Sequence, residues 1–107
     1  METPDYQNIF NTFKNGIFEY LIKPDLIRSG KEFGVEVTDV ILWDDYSVNS
    51  HTGKIYPMFV VEYKSEGYYP KLSLQSFLSE RIKSVINKFY PSNEFNILGA
   101  NIALKKL

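Results

Sequence analysis

Residues 33–43 read FGVEVTDVILW, and this stretch decides the fold because its side chains alternate with the period of two typical of a β-strand. The alternation places Glu36 and Thr38 on one face. The opposite face is predicted to point toward a core and holds Phe33, Val35, Val37, Ile41 and Trp43. Residues 54–64, KIYPMFVVEYK, give a second strand rich in β-branched and aromatic residues. The two strands predict an antiparallel hairpin with a long polar tip, residues 44–53, and Pro57 indicates a bulge or an edge.

A helix is predicted before the hairpin. Thr3-Pro4-Asp5 is typical of a helix start, and Pro24 is expected to end the helix. Apolar residues recur at helical spacing at Tyr6, Ile9, Phe13, Ile17, Tyr20 and Leu21. Gly16 costs about 1 kcal/mol relative to Ala inside a helix. A shorter helix capped at Asn15-Gly16, with residues 17–22 as a strand, is therefore an alternative. We favour the longer helix.

A second helix follows the hairpin, with Ser73 as its expected cap and residues 90–93 as its end. Its predicted apolar stripe consists of Leu74, Leu78, Ile82, Val85, Ile86 and Phe89. Residues 95–104 are predicted to form a closing strand, with Gly99 at a bulge. The sequence thus predicts one α+β domain over residues 1–107, with both helices packed on a small sheet. If the first strand breaks near residues 36–38, the order of elements becomes αβββαβ.

Composition narrows the functional classes. The 107 residues suit one domain, and 44% hydrophobic with 23% charged residues is ordinary for a globular protein. The chain has no Cys, which excludes a disulfide framework, a thiolate zinc site and a cysteine nucleophile. We find no secretory signal and no apolar run of the ~20 residues that a membrane span needs, and we expect a cytoplasmic protein.

Charge is distributed unevenly along the chain. The net charge is −1, with nine acidic and four basic residues in positions 1–50 and four acidic and eight basic residues in positions 51–107. Such a division would suit attraction of a charged partner or head-to-tail packing of copies, but we favour the simpler interpretation of two solvated faces.

Asp39 interrupts the pattern, since it is in phase with the apolar face of the first strand. A buried carboxylate costs several kcal/mol unless it is paired or binds a metal. On the next strand Glu62 and Lys64 lie two residues apart, so they project to the same face. Asp39 and Glu62 together are candidate ligands for Mg²⁺ or Mn²⁺, and the metal would activate a water molecule with Lys64 assisting. Alternatively, Asp39 marks a bulge where the face switches, or it accepts backbone hydrogen bonds.

Asp39, Glu62 and Lys64 within this order of elements resemble the PD-(D/E)xK nuclease family, in which an Asp opens one strand and E-x-K lies on the next. The resemblance implies metal-dependent cleavage of nucleic acid. Asp39 and Glu62 would then hold the metal, and all three residues would be catalytic. The family's Pro before the Asp is Thr38 in this sequence.

A second interpretation is a non-catalytic protein that binds a protein partner. Tyr46, Tyr68 and Tyr69 lie in predicted loops and are interface candidates, together with His51 in the hairpin tip. Packing of the tyrosines over the edge of the sheet is an equally good explanation. A helix, hairpin, helix and strand with a projecting loop look like the small ring-forming tail-completion and neck proteins of tailed phages. That resemblance implies a virion component without a cofactor that self-associates or binds a protein. We favour this interpretation, with the Mg²⁺-dependent nuclease as the alternative.

Overall fold

The computed structural model describes residues 5–67, 71–90 and 94–107, and it confirms an α+β fold with helices packed on a small sheet. The first helix contains α1 (Tyr6–Phe13), a π-helical segment (Lys14–Ile22), α2 (Lys23–Ser29) and a 3₁₀ turn (Gly30–Phe33). The rest of the chain forms β1 (Glu36–Leu42), β2 (Ser47–Val48), β3 (Ile55–Tyr56), β4 (Phe59–Lys64), α3 (Lys71–Phe89) and β5 (Ile102–Lys106).

The first helix runs further than the sequence predicts. The Asp5 side chain caps its start by accepting the Asn8 backbone N–H at 3.1 Å. The longer helix is confirmed, since residues 17–22 are helical and not a strand. The prediction that Pro24 ends the helix is wrong. Pro24 lies in the first turn of α2, directly after the π-helical segment, where a missing N–H is tolerated.

The π-helical segment changes which side chains of the first helix are buried. The buried apolar residues are Phe10, Phe13, Phe18, Ile22 and Leu26. The step from Phe13 to Phe18 is five residues, because a π-helical turn is wider than an α-helical one. The apolar stripe predicted from α-helical spacing is therefore wrong at Tyr20, which is 73% exposed, and at Leu21, which is also exposed.

The main sheet has three strands in the order β1-β4-β5, with β1 antiparallel and β5 parallel to β4. The predicted antiparallel pairing is confirmed, and the hairpin tip contains a small second sheet of β2 and β3. Pro57 separates β3 from β4. The closing strand is shorter than predicted: Phe95 makes a single bridge to Ile55, a 3₁₀ turn covers Gly99–Asn101, and β5 follows.

A β-bulge at Thr38 reverses the face of every later residue in β1. Val37 pairs with Tyr63 and Asp39 pairs with Glu62, which leaves Thr38 as the extra residue. Val37, Val40 and Leu42 are buried against the helices. The expected inward orientation of Ile41 and Trp43 is wrong, since these side chains are 40% and 51% exposed. The strand bends at the bulge without splitting in two.

Helix α3 packs beside the first helix on the same face of the sheet. Its stripe is confirmed at Leu74, Leu78, Ile82 and Ile86, which are buried. The chain is already helical at Lys71 and Leu72, so Ser73 lies inside the helix and is not its cap. The predicted inward orientation of Phe89 is wrong, since this side chain is exposed. The two helices are antiparallel, because Phe13 packs on Tyr90 near one end and Asp25 binds Arg81 near the other.

Candidate functional site

The side chains that point away from the helices form what we call the outer face of the sheet. The strand register arranges them in rows across β1, β4 and β5. An apolar row consists of Ile41, Val60 and Ala103, and Trp43 follows at the end of β1. A charged row consists of Asp39, Glu62 and Lys105. Both described helices pack on the opposite face, so this surface is the least covered part of the sheet.

The charged row is balanced by lysines at its two ends. Lys23 Nζ lies 3.3 Å from Asp39 Oδ1, and Lys105 Nζ lies 3.4 Å from Glu62 Oε2. Two carboxylates directly opposite each other on neighbouring strands would repel, and each lysine offsets that repulsion. Asp39 Oδ1 also accepts the Val40 backbone N–H at 2.9 Å. Asp39 is thus accounted for by the bulge, a backbone hydrogen bond and an ion pair.

The three residues of the nuclease hypothesis lie on one face. Asp39 and Glu62 are direct register partners, and Lys64 follows two residues later with Glu36 opposite it. Lys64 is exposed and lines a depression of about 620 Å³ with Lys31 and Glu36. The two carboxylates are the kind of ligand that Mg²⁺ prefers. In residues 5–67, 71–90 and 94–107, no group of three or more His, Asp or Glu side chains lies close enough together to hold a metal ion.

The apolar row was missed by the sequence interpretation, which placed Ile41 and Trp43 in the core. In the structure they are exposed next to Val60, which is half-buried, and Ala103, which is exposed. A signal was present in the sequence: Thr38-Asp39 puts two polar residues in succession inside a strand, which breaks the alternation. A bulge at this point, one of the alternatives for Asp39, would move the residues that follow it to the other face.

The tyrosine and histidine candidates have different surroundings. Tyr46 stacks on Phe10 with ring centroids 4.5 Å apart, and its hydroxyl donates to Gln7 Oε1 at 3.2 Å. Tyr46 is therefore half-buried and ties the hairpin tip to the first helix. His51 is exposed in the tip, where Asn49 Oδ1 accepts its backbone N–H. The predicted interface residues Tyr68 and Tyr69 lie outside the described residues.

Comparison with known proteins gives no relative: no protein-family model, no curated protein and no solved structure matches the chain. None of the helices in the described residues is long and apolar enough to cross a membrane.

Proposed function

We propose that this chain is a non-catalytic assembly or interaction protein that binds a protein partner through the outer face of its sheet. The observation that carries the proposal is the exposure of Trp43 and Ile41 side by side, at 51% and 40%, next to Val60 and Ala103. One exposed apolar side chain is ordinary on a protein surface, whereas a contiguous group around a Trp is typical of an interface.

The sheet architecture supports the same proposal. An antiparallel pair of strands such as β1 and β4, with one face in water, normally carries polar residues on that face. Here one row of the outer face is charged, and the neighbouring row toward Trp43 is apolar. A partner that covers the apolar row would remove Ile41 and Trp43 from water and leave the charged row at the rim. That division into an apolar centre and a polar rim is typical of protein interfaces.

We extend the proposal to virion assembly, as a tail or neck component of a phage. The support for this extension is the order of elements, a helix, a hairpin, a helix and a strand. Such a protein acts as one copy of a closed ring.

The first experiment measures the molar mass of the purified chain by light scattering over a wide concentration range. We expect a defined oligomer, or a stable complex with a heterologous partner, and we expect Trp43→Ser to abolish it. The matched control is Leu72→Ser, which removes an exposed apolar side chain from α3. Both variants should unfold at nearly the wild-type temperature. A strict monomer at high concentration that also binds no partner would contradict the proposal.

A second candidate function, a Mg²⁺-dependent nuclease, is favoured by one specific observation. Asp39 and Glu62 are register partners on the same face as Lys64. The two carboxylates have the right chemistry to hold the metal, which would supply an activated water molecule. Lys23 and Lys105 would have to release them first. Lys64, on the same face, would stabilise the negative charge on a phosphate.

The nuclease test incubates the protein with supercoiled DNA and Mg²⁺ or Mn²⁺. Under this hypothesis the wild type nicks the DNA and Asp39→Ala does not. Asp45→Ala, which removes an exposed carboxylate from the hairpin tip, keeps the activity. Absence of metal-dependent cleavage with every form of DNA excludes the hypothesis.

A further inference from the structure

We infer that the partner of the outer face is a second copy of this chain, which docks with the opposite surface of the molecule, the exposed side of its helices. This inference rests on the proposed function, because it names the partner for the same surface. It makes the contact heterologous, with two different surfaces of each copy in use.

The exposed side of the helices carries its own apolar group, which we call the helix ridge: Tyr20, Leu21 and Phe89. Tyr20 and Leu21 lie between the two points at which the helices touch, the Phe13 contact with Tyr90 and the Asp25 contact with Arg81. Phe89 adjoins the first of these points on α3. All three side chains are exposed. The exposure of Tyr20 and Leu21 is caused by the π-helical segment, since its wider turn directs them away from the core.

The outer face and the helix ridge lie on opposite sides of a two-layer molecule, with the core between them. A pair of copies that stacked outer face on outer face would leave both helix ridges in water. Head-to-tail packing covers both surfaces with one type of contact, and it gives each sheet a helical layer on its second face. Helices on both faces of a sheet form one of the standard stable layer arrangements.

The charges beside the two surfaces are complementary. Asp45 is exposed beside Trp43, whereas Asp44 is paired with Lys14 of its own chain. Both aspartates line a depression of about 320 Å³ with Ile41, Leu42 and Trp43. On the helix ridge, the Nζ of Lys88 lies 5.8 Å from the centroid of the Phe89 ring. Phe89 seated in the depression would bring Lys88 close to Asp45.

Cross-linking tests the geometry directly, because the chain has no Cys. Asp45→Cys and Lys88→Cys place one thiol beside each surface and keep Trp43 and Phe89 intact. We mix the two variants, one carrying a mass tag, and oxidise them mildly. The expected product is a mixed disulfide between the two variants, and the double variant should give a ladder or a closed ring. Lys71→Cys, on the first turn of α3, is the control that should not cross-link with Asp45→Cys.

Charge reversal gives an independent measurement by light scattering. Asp45→Lys and Lys88→Asp should each shift the oligomer to monomer, and the double reversal should restore it.

The outcomes separate the inference from the proposed function. A disulfide between two Asp45→Cys chains shows outer face against outer face, so it overturns the inference and leaves the proposed function standing. A wild-type monomer at high concentration also overturns the inference. The proposed function then depends on whether Trp43→Ser abolishes binding to a different protein.

Discussion

Replacing Asp25 with Asn is expected to destabilise the fold, because the Asp25 carboxylate joins the first helix to α3. Arg81 donates to it twice, from Nε to Oδ2 at 2.9 Å and from Nη2 to Oδ1 at 2.6 Å. Arg28 Nη2 also donates to Oδ1, at 2.7 Å. The Asp25 side chain is only 14% exposed, so Asn in its place would leave the Arg81 guanidinium without its counter-charge.

The size of the effect follows from these contacts. A hydrogen bond to a charged group is worth about 1.5–3 kcal/mol, and the pair with Arg81 is partly screened because that side chain is 36% exposed. We therefore expect Asp25→Asn to lower the free energy of unfolding by about 2 kcal/mol. For a domain of this size the melting temperature should fall by roughly 10 °C. The assay is thermal and urea unfolding followed by circular dichroism.

The same contact predicts a pH dependence. The hydrogen bonds from Arg81 hold the pKa of the Asp25 carboxyl below its usual value, against the opposing effect of burial, and Arg28 lowers it further. Since the folded-state pKa lies below the unfolded value of about 4, the stabilisation is complete above that pH and disappears as the pH falls through the folded-state pKa. The stability difference between wild type and Asp25→Asn should shrink over this acidic range.

Arg28→Ala is the matched control, because Arg28 is 77% exposed and its loss should cost less than about 0.5 kcal/mol. Our interpretation of the contact is refuted if Asp25→Asn costs no more than this control. A difference between wild type and variant that stays constant from pH 7 to pH 2 would refute the electrostatic part.

Three further predictions concern stability and are checked by the same unfolding measurements. Gly30→Ala should destabilise by about 1–3 kcal/mol because the added Cβ would lie 2.6 Å from a valine side chain in β1, whereas Gly16→Ala, which meets nothing within 4 Å, should stabilise by up to about 1 kcal/mol. Ser79→Ala should stabilise the fold by about 1 kcal/mol, because the buried hydroxyl has no hydrogen-bond partner among the described residues. The control is Ser84→Ala at an exposed position of the same helix, which measures the gain in helix propensity alone. Equal gains in stability from the two variants would show that the buried hydroxyl of Ser79 carries no cost. Deletion of Thr38 should leave the protein folded, since it removes only the extra residue of the bulge, whereas deletion of an inward-facing residue of β1 should unfold it.

The fold class was predictable because local patterns carry it. The period of two in residues 33–43 and 54–64 gave the antiparallel pair, and the stripe of Leu74, Leu78, Ile82 and Ile86 gave α3. Each of these elements buries one face, so apolar residues recur in the sequence with the period of a strand or of a helix. Cross-strand register also brought Asp39 opposite Glu62, as the spacing suggested.

The apolar row of the candidate site was not predicted, although a bulge at Asp39 that switches the face was one of the alternatives, because the exposed apolar surfaces depend on two local changes of phase. One extra residue in β1, Thr38, turns Ile41 and Trp43 from the core to the outer face. One wide turn in the first helix exchanges Tyr20 and Leu21 for Phe18 and Ile22 in the core. At both places the sequence has apolar residues on either side, so the hydrophobic pattern alone does not determine which of them are buried.

The sequence by itself therefore determined the antiparallel pair β1 and β4, the buried stripe of α3 and the order of the main elements, since these follow from backbone periodicity and the burial of apolar area. Only the tertiary structure decided which apolar side chains stay outside. That choice depends on packing the helices against the sheet, where Phe18 meets Phe59 and Val40 joins the core. The apolar residues that remain exposed contribute to the outer face and the helix ridge, the two surfaces on which the proposed assembly depends.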